Sequence, residues 1–167
     1  MRIQNQLLLF LFVILAGCEG NHQSGGTMIA KDLVGRYVGV WNGDSLSVLD
    51  SLLTPDYVRH TSVTSGPAHS PEELRKVITH MRVDMPDLTI HVDDIVVSGS
   101  TVVFRWTSEG TDSGPGDFPP TNKHFKTTGL TWLRLEKDRI AEEWSGTDQL
   151  EALLQLGFKV VPPEAGG

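Results

Sequence analysis

The chain holds a single cysteine, Cys18, among 167 residues. No disulfide can form within it, so an apolar core must carry the fold in any redox compartment. Basic residues are the minority, 14 Lys and Arg against 21 Asp and Glu, for a net charge of −7. They form no cluster, whereas nucleic-acid binding needs a positive stripe to neutralise phosphates; nucleic acid is not an expected partner. No apolar run approaches the roughly 20 residues that span a bilayer. His-Glu-x-x-His, EF-hand and Cys/His patterns are missing as well, so no metal is expected. His69, His80 and His91 recur every eleven residues but fall on a loop, a helix and a strand, which gives them no common geometry. Gly110, Gly114 and Gly116 precede no helix start and make no phosphate loop. Neither a nucleotide nor any other cofactor is expected.

The N-terminus is richer in signal. Arg2 is the only charge before the apolar run 7–15, the pattern of a secretory signal. Leu15-Ala16-Gly17-Cys18 resembles the bacterial lipobox, which implies cleavage before Cys18 and acylation of its sulfur. Each buried acyl methylene contributes about 0.8 kcal/mol, and stable anchoring takes more than one chain. The expected organisation is a signal over 1–17, a lipidated cysteine and flexible tether over 18–28, one domain over 29–160 and a tail over 161–167. The expected location is the cell envelope, on the outer membrane or the periplasmic side of a diderm cell. Removing residues 1–17 leaves 150 residues, enough for one domain with a substantial core.

Periodicity predicts helices first and strands later. Leu33, Val34, Tyr37, Val38 and Trp41 share a face of a helix over 28–41, closed by Asn42-Gly43. Asp44 or Ser45 caps a second short helix through Leu53, and Pro55 ends it. A short strand follows over 57–60. Ser70-Pro71-Glu72-Glu73 is a strong helix start, for a helix to about Val83. Strands are predicted over 88–97, 102–111, 125–135 and 139–145, with turns at Ser98-Gly99-Ser100 and Glu136-Lys137-Asp138. The Gly- and Pro-rich stretch 112–122 reads as a loop, and Asp148 as the cap of a last short helix stopped at Gly157.

Helices followed by a long antiparallel meander specify an α+β domain, a cone-shaped barrel whose curved, mostly antiparallel sheet wraps the N-terminal helices. Such a cone encloses an apolar cavity, the default place for a ligand. Strand alternation puts Phe104, Trp106 and Ser108 on one face, with Asp112 continuing it, and Val103, Arg105, Thr107 and Glu109 on the other. Arg105 is expected to pair with Glu142 or Glu109. Trp132 and Trp144 either wall the cavity or fill an interface between subunits.

Several motifs in order resemble one family: Tyr57-Val58-Arg59-His60, Met85-Pro86-Asp87-Leu88, Val102-Val103-Phe104-Arg105-Trp106, Gly110-Thr111-Asp112-Ser113-Gly114, Arg139-Ile140-Ala141-Glu142-Glu143-Trp144 and Gln155-Leu156-Gly157. They are similar to the SnoaL-like polyketide and ester cyclases of the nuclear transport factor 2-like superfamily, over residues 30–158. The resemblance implies the cone fold, a homodimer through the open sheet face, and cofactor-free cyclisation or isomerisation of a small apolar carbonyl compound. It places the family's catalytic aspartate position at Ser145 and its histidine at Thr131, and family members commonly carry histidine where Asp112 stands. Neither a serine nor a threonine serves as a base without an activating partner.

The acid–base roles therefore fall to Asp112 as proton acceptor and His60 as the group that polarises the substrate oxygen. Phe104, Trp106, Ser108, Thr131 and Ser145 are the expected ligand-binding residues. Two other readings stay open: Asp112 as a turn residue that starts the loop, and His60 as a structural histidine. A non-enzymatic binding lipoprotein is the alternative function.

Overall fold

A computed structural model describes residues 20–61, 66–116 and 119–161. Cys18, the expected signal over 1–17 and most of the expected tail lie outside the described residues. Helix α1 (Gly20–Trp41) is followed by a 3-10 turn (Leu46–Val48) and the short α2 (Leu49–Leu52). Then come β1 (Leu53–Thr61), α3 (Pro71–Asp84), β2 (Thr89–Ser98), β3 (Thr101–Thr111), β4 (His124–Glu136), β5 (Arg139–Thr147) and α4 (Gln149–Leu156). The five strands form one sheet in the order β1-β5-β4-β3-β2, in which only the β1–β5 pairing is parallel. The α+β cone is as expected. No helix among the described residues is long and apolar enough to cross a membrane.

Local chemistry explains the boundaries. The Ser70 side chain accepts the Glu73 N–H at 3.2 Å, Pro71 opens α3, and Glu73 reaches back to the His69 N–H at 2.7 Å. Asp148 caps α4 by accepting the Glu151 N–H at 2.9 Å, and Gly157 ends it at φ +97°, a left-handed conformation that glycine adopts without strain. Two expectations shift. Helix α1 begins at Gly20, so residues 20–27, expected as a tether, are helical; once a packed helix exists, adding a residue to it costs little. Strand β1 runs through Pro55 instead of starting at Tyr57. It lies at the sheet edge and its register shifts between Leu53 and Val58, the setting in which a strand tolerates proline.

The inner face of the sheet packs on α1 and α3. Leu33, Val34, Tyr37 and Val40 of α1, Leu74 and Ile78 of α3, and Val102, Leu133 and Ile140 of the sheet form one buried cluster. Each fully buried aliphatic side chain contributes about 1.5–3 kcal/mol. Across the inner face the register aligns side chains in rows. One row is Val102, Leu133, Glu143 and Arg59; the next, two residues along each strand, is Phe104, Thr131, Ser145 and Thr61. A third pairs Trp106 with Gly129 and Thr147. These rows position the site.

Candidate active site

Gly129 is where the sheet makes room for an aromatic wall. A Cβ there would lie 2.2 Å from Cζ2 of Trp106, so the indole crosses the sheet over a position that can bear no side chain. The ring is then fixed by a hydrogen bond from Nε1 to the Thr131 hydroxyl at 2.9 Å, and that hydroxyl meets the Ser145 Oγ at 3.2 Å. Strand β3 pairs with β4 without a register shift, which is why alternation holds along it. Phe104, Trp106 and Ser108 face inward, while Arg105 and Glu109 face outward. Arg105 meets Asp93 at 3.6 Å and not the expected Glu142 or Glu109; Glu109 pairs with Lys126 at 3.5 Å. The register of β2 shifts between Val92 and Asp94, next to Asp93.

Between sheet and helices lies a cavity of about 360 Å³. Phe104, Trp106, Ser108, Thr131, Ser145 and Asp112 all line it. Trp41 and Val38 of α1, Met81 of α3, Phe125 of β4 and Leu153 of α4 supply most of the remaining apolar wall. Apolar walls with a row of hydroxyls for orientation have the general form of a small-molecule site.

At the Arg59 end is a buried polar cluster that sequence reasoning missed. Glu143, 2% exposed, accepts the Tyr37 hydroxyl at 2.5 Å and the Tyr57 hydroxyl at 2.6 Å on Oε2, and Arg59 Nε at 3.0 Å on Oε1. Arg59, 9% exposed, also donates through Nη1 to the Gly66 carbonyl and stacks its guanidinium 5.2 Å from the Trp41 ring centroid. Burial, and then the nearby Glu143 carboxylate, push both tyrosine hydroxyls well above their ordinary pKa. Burial opposes the Arg59 charge, but the Glu143 carboxylate and the two tyrosine oxygens together outweigh it and raise the arginine pKa. The cluster is an ion pair flanked by two neutral phenols, with both charged residues lining the cavity. Parity held the signal: Arg59 alternates with His60, and Glu143 shares its face with Ser145.

The other end carries titratable groups. Oδ2 of Asp112 accepts the Thr121 N–H at 2.8 Å and its hydroxyl at 2.7 Å, while the Asp112 backbone pairs with Asn122 and Lys123. Asp112 thus both lines the cavity and pins the loop. That loop docks on the end of α3, where the Gly114 N–H donates to the Asp84 carbonyl at 2.8 Å. A Cβ on Gly114 would lie 1.8 Å from the Val83 carbonyl oxygen, so only glycine permits the contact. One turn back on α3, His80 Nε2 lies 3.1 Å from Asp84 Oδ2, and both residues line the cavity. Asp84 Oδ1 is buried without a hydrogen-bond partner among the described residues.

His60 is elsewhere. With Val58 it points to the outer face, where it hydrogen-bonds Glu142 at 2.8 Å and stacks on Trp144 at 5.1 Å between centroids. The expected pair of Asp112 and His60 is therefore not brought together, because Tyr57 and Arg59 take the inward positions of β1. Trp132 and Trp144 are outward too, 53% and 40% exposed, and do not wall the cavity. Among the described residues no group of three or more His, Cys, Asp or Glu side chains is arranged to hold a metal ion.

Relatives with solved structures share this architecture. IdmH of Streptomyces antibioticus, a proposed polyketide cyclase, is 31% identical, with 77% of this chain and 98% of that one covered and a TM-score of 0.68. TsrD of Streptomyces laurentii is 25% identical, over 78% of this chain and 96% of that one, with a TM-score of 0.69. A SnoaL-like protein of Jannaschia, at 19% identity, covers 81% of this chain and 94% of its own with a TM-score of 0.70, a likeness of fold alone. No curated protein matches the sequence. The profile of the SnoaL-like polyketide cyclases matches residues 31–156, three quarters of the chain. The chain belongs to the SnoaL-like polyketide cyclase family.

Proposed function

We propose that this protein is a cofactor-free acid–base enzyme that binds a small apolar carbonyl compound and removes a proton beside the carbonyl, giving cyclisation or isomerisation. One observation carries the reading: one cavity has apolar walls, a row of hydroxyls at Thr131 and Ser145, and carboxylate and imidazole groups at its other end. Asp112 is the proton acceptor. With His60 outside, the partner is His80, whose Nε2 is held by Asp84 and whose ring lines the same cavity. Thr131 and Ser145 orient the substrate oxygen.

The test uses 2-tetralone, a compact ketone with acidic C–H bonds, incubated with the protein in deuterated buffer. Faster deuterium uptake than in buffer alone supports the reading. Losing a positioned acid or base typically costs about 10²–10⁴-fold in rate, so Asp112→Asn lowers uptake by that order while 2-tetralone affinity stays within about twofold. Uptake at the wild-type rate in Asp112→Asn would overturn the assignment. Binding without acceleration favours the second reading, a non-enzymatic carrier. That reading draws on the same geometry, since Thr131 and Ser145 already bond each other and Asp112 is engaged by Thr121.

The lipid anchor at Cys18 and its membrane placement belong to the same proposal and rest on the lipobox resemblance. Cys18→Ala shifts the protein from the membrane to the soluble fraction, and mass analysis of the mature N-terminus detects the acyl chains; an unmodified N-terminus elsewhere would refute the anchor. Association of two copies through the outer sheet face is the third part. A row of Val96, Val103, Trp132, Trp144 and His60 crosses that face in register.

A further inference from the structure

We infer that Arg59 is an anion-recognition residue of the cavity and that the bound molecule carries a carboxylate, or an oxygen that becomes anionic, at the end opposite Asp112. The inference rests on the cavity being a ligand site. A buried arginine with a structural role alone is expected to have its charge and its donors used up within the protein. The charge of Arg59 is balanced by Glu143, but its donors are not exhausted. Nε goes to Glu143 and Nη1 to the Gly66 carbonyl, and the guanidinium has further N–H donors beyond these two contacts. Among the described residues no acceptor is recorded for them, and Arg59 lines the cavity. The side chain is only 10% exposed, and the residue is part of the cavity wall.

The surroundings make this a built site. Glu143 clamps the Nε edge of the guanidinium and is itself held by two phenols, so the group cannot swing to follow a mobile ligand. Trp41 lies against the guanidinium and also lines the cavity. One row further along the sheet, Thr131 and Ser145 offer neutral hydroxyls within a few ångströms of strand rise. A rigid planar fork beside hydroxyls and aromatic walls matches a carboxylate or enolate oxygen on an apolar ring system, because arginine recognises such oxygens through paired, charge-assisted bonds. Glu143 and the tyrosines are positioning residues.

The test compares 2-naphthoate with 2-naphthamide, which differ in charge and scarcely in shape, by titration calorimetry at neutral pH. The wild type prefers the carboxylate by about tenfold or more, the worth of a buried charge-assisted bond. Arg59→Gln alone would strand the Glu143 carboxylate, so the double variant Arg59→Gln/Glu143→Gln is used, which removes both charges together. In it 2-naphthoate affinity falls to the level of 2-naphthamide, whose own affinity changes less than about twofold. Arg59→Lys, which keeps the charge without the fork, retains a smaller preference. Equal affinity of the wild type for the two probes would overturn the inference and leave the cavity reading standing. So would a preference that survives in the double variant. Failure of the wild type to bind either probe would overturn both.

Discussion

Truncating Glu143 to alanine leaves the Arg59 guanidinium buried without its carboxylate and two tyrosine hydroxyls without an acceptor. Breaking one side of a buried ion pair typically costs about 3–5 kcal/mol, and a loss of that order is expected in urea unfolding. The double variant Arg59→Gln/Glu143→Gln should be closer to the wild type than Glu143→Ala, since it strands no charge. A second expectation concerns alkaline pH. Both tyrosines of the chain sit in this cluster, with hydroxyls held well above the ordinary value of about 10. Above that pH the folded state keeps protons that the unfolded chain has lost, so stability is full below about pH 10 and declines as pH rises beyond it. Tyrosinate absorbance should therefore stay absent until the fold opens, and then rise together with the loss of circular dichroism. A separate, earlier tyrosinate transition in the folded protein would refute the cluster. The sequence concealed these residues because attention goes to imidazole. Histidine is the residue type that acid–base chemistry most often uses, whereas Arg59 and Tyr57 read as ordinary strand residues. Only alternation from Ser145 back to Glu143, and from His60 across to Arg59, separates the inner set from the outer.

Strand β3 shows when alternation suffices and β2 when it does not. Along β3 every pairing with β4 is in step, and the inward set of Phe104, Trp106 and Ser108 follows from the sequence alone. In β2 the register shifts between Val92 and Asp94, and nothing in Val-Asp-Asp-Ile announces it. The partner of Arg105 was consequently unreadable, since Asp93 reaches it only beside that irregularity. The capped helices were legible because Ser70, Pro71 and Asp148 act within one turn. The start of α1 was not, because it depends on propagation from a packed segment. The pairing of β3 and β4 also sets a prediction at Gly129. Substituting alanine puts a methyl group into the Trp106 indole, an overpacking that typically costs about 1–3 kcal/mol. Gly129→Ala should lower the unfolding midpoint by a corresponding amount and weaken 2-tetralone binding, because the displaced ring breaks its bond to Thr131. Unchanged stability and unchanged binding would show that the indole has room to move.

On the scale of the molecule, the sheet presents two unlike faces, one closed over the cavity and one with Trp132 and Trp144 in the open, 6.0 Å apart between ring centroids. If two copies meet there, Trp132→Lys places an ammonium in the middle of the contact, and sedimentation velocity should report the monomer for the variant and the dimer for the parent. A parent that sediments as a monomer at high concentration refutes that association. The cone itself was readable from the order of elements, helices first and a meander after, but the partner of the first strand was not. Strand β1 lies at the edge, and its partner among the named strands is β5, nearly eighty residues later in the chain. Tyr37 and Arg59 likewise meet Glu143 only when β5 arrives. During synthesis α1 can meet β2 and α3 can meet β1 early, but the buried polar cluster and the β1 edge close only when the last strand leaves the ribosome. Folding must wait on long-range loop closure, which is slow compared with local contacts. A nascent chain so arranged cannot lock its core until nearly all of its strands have been made.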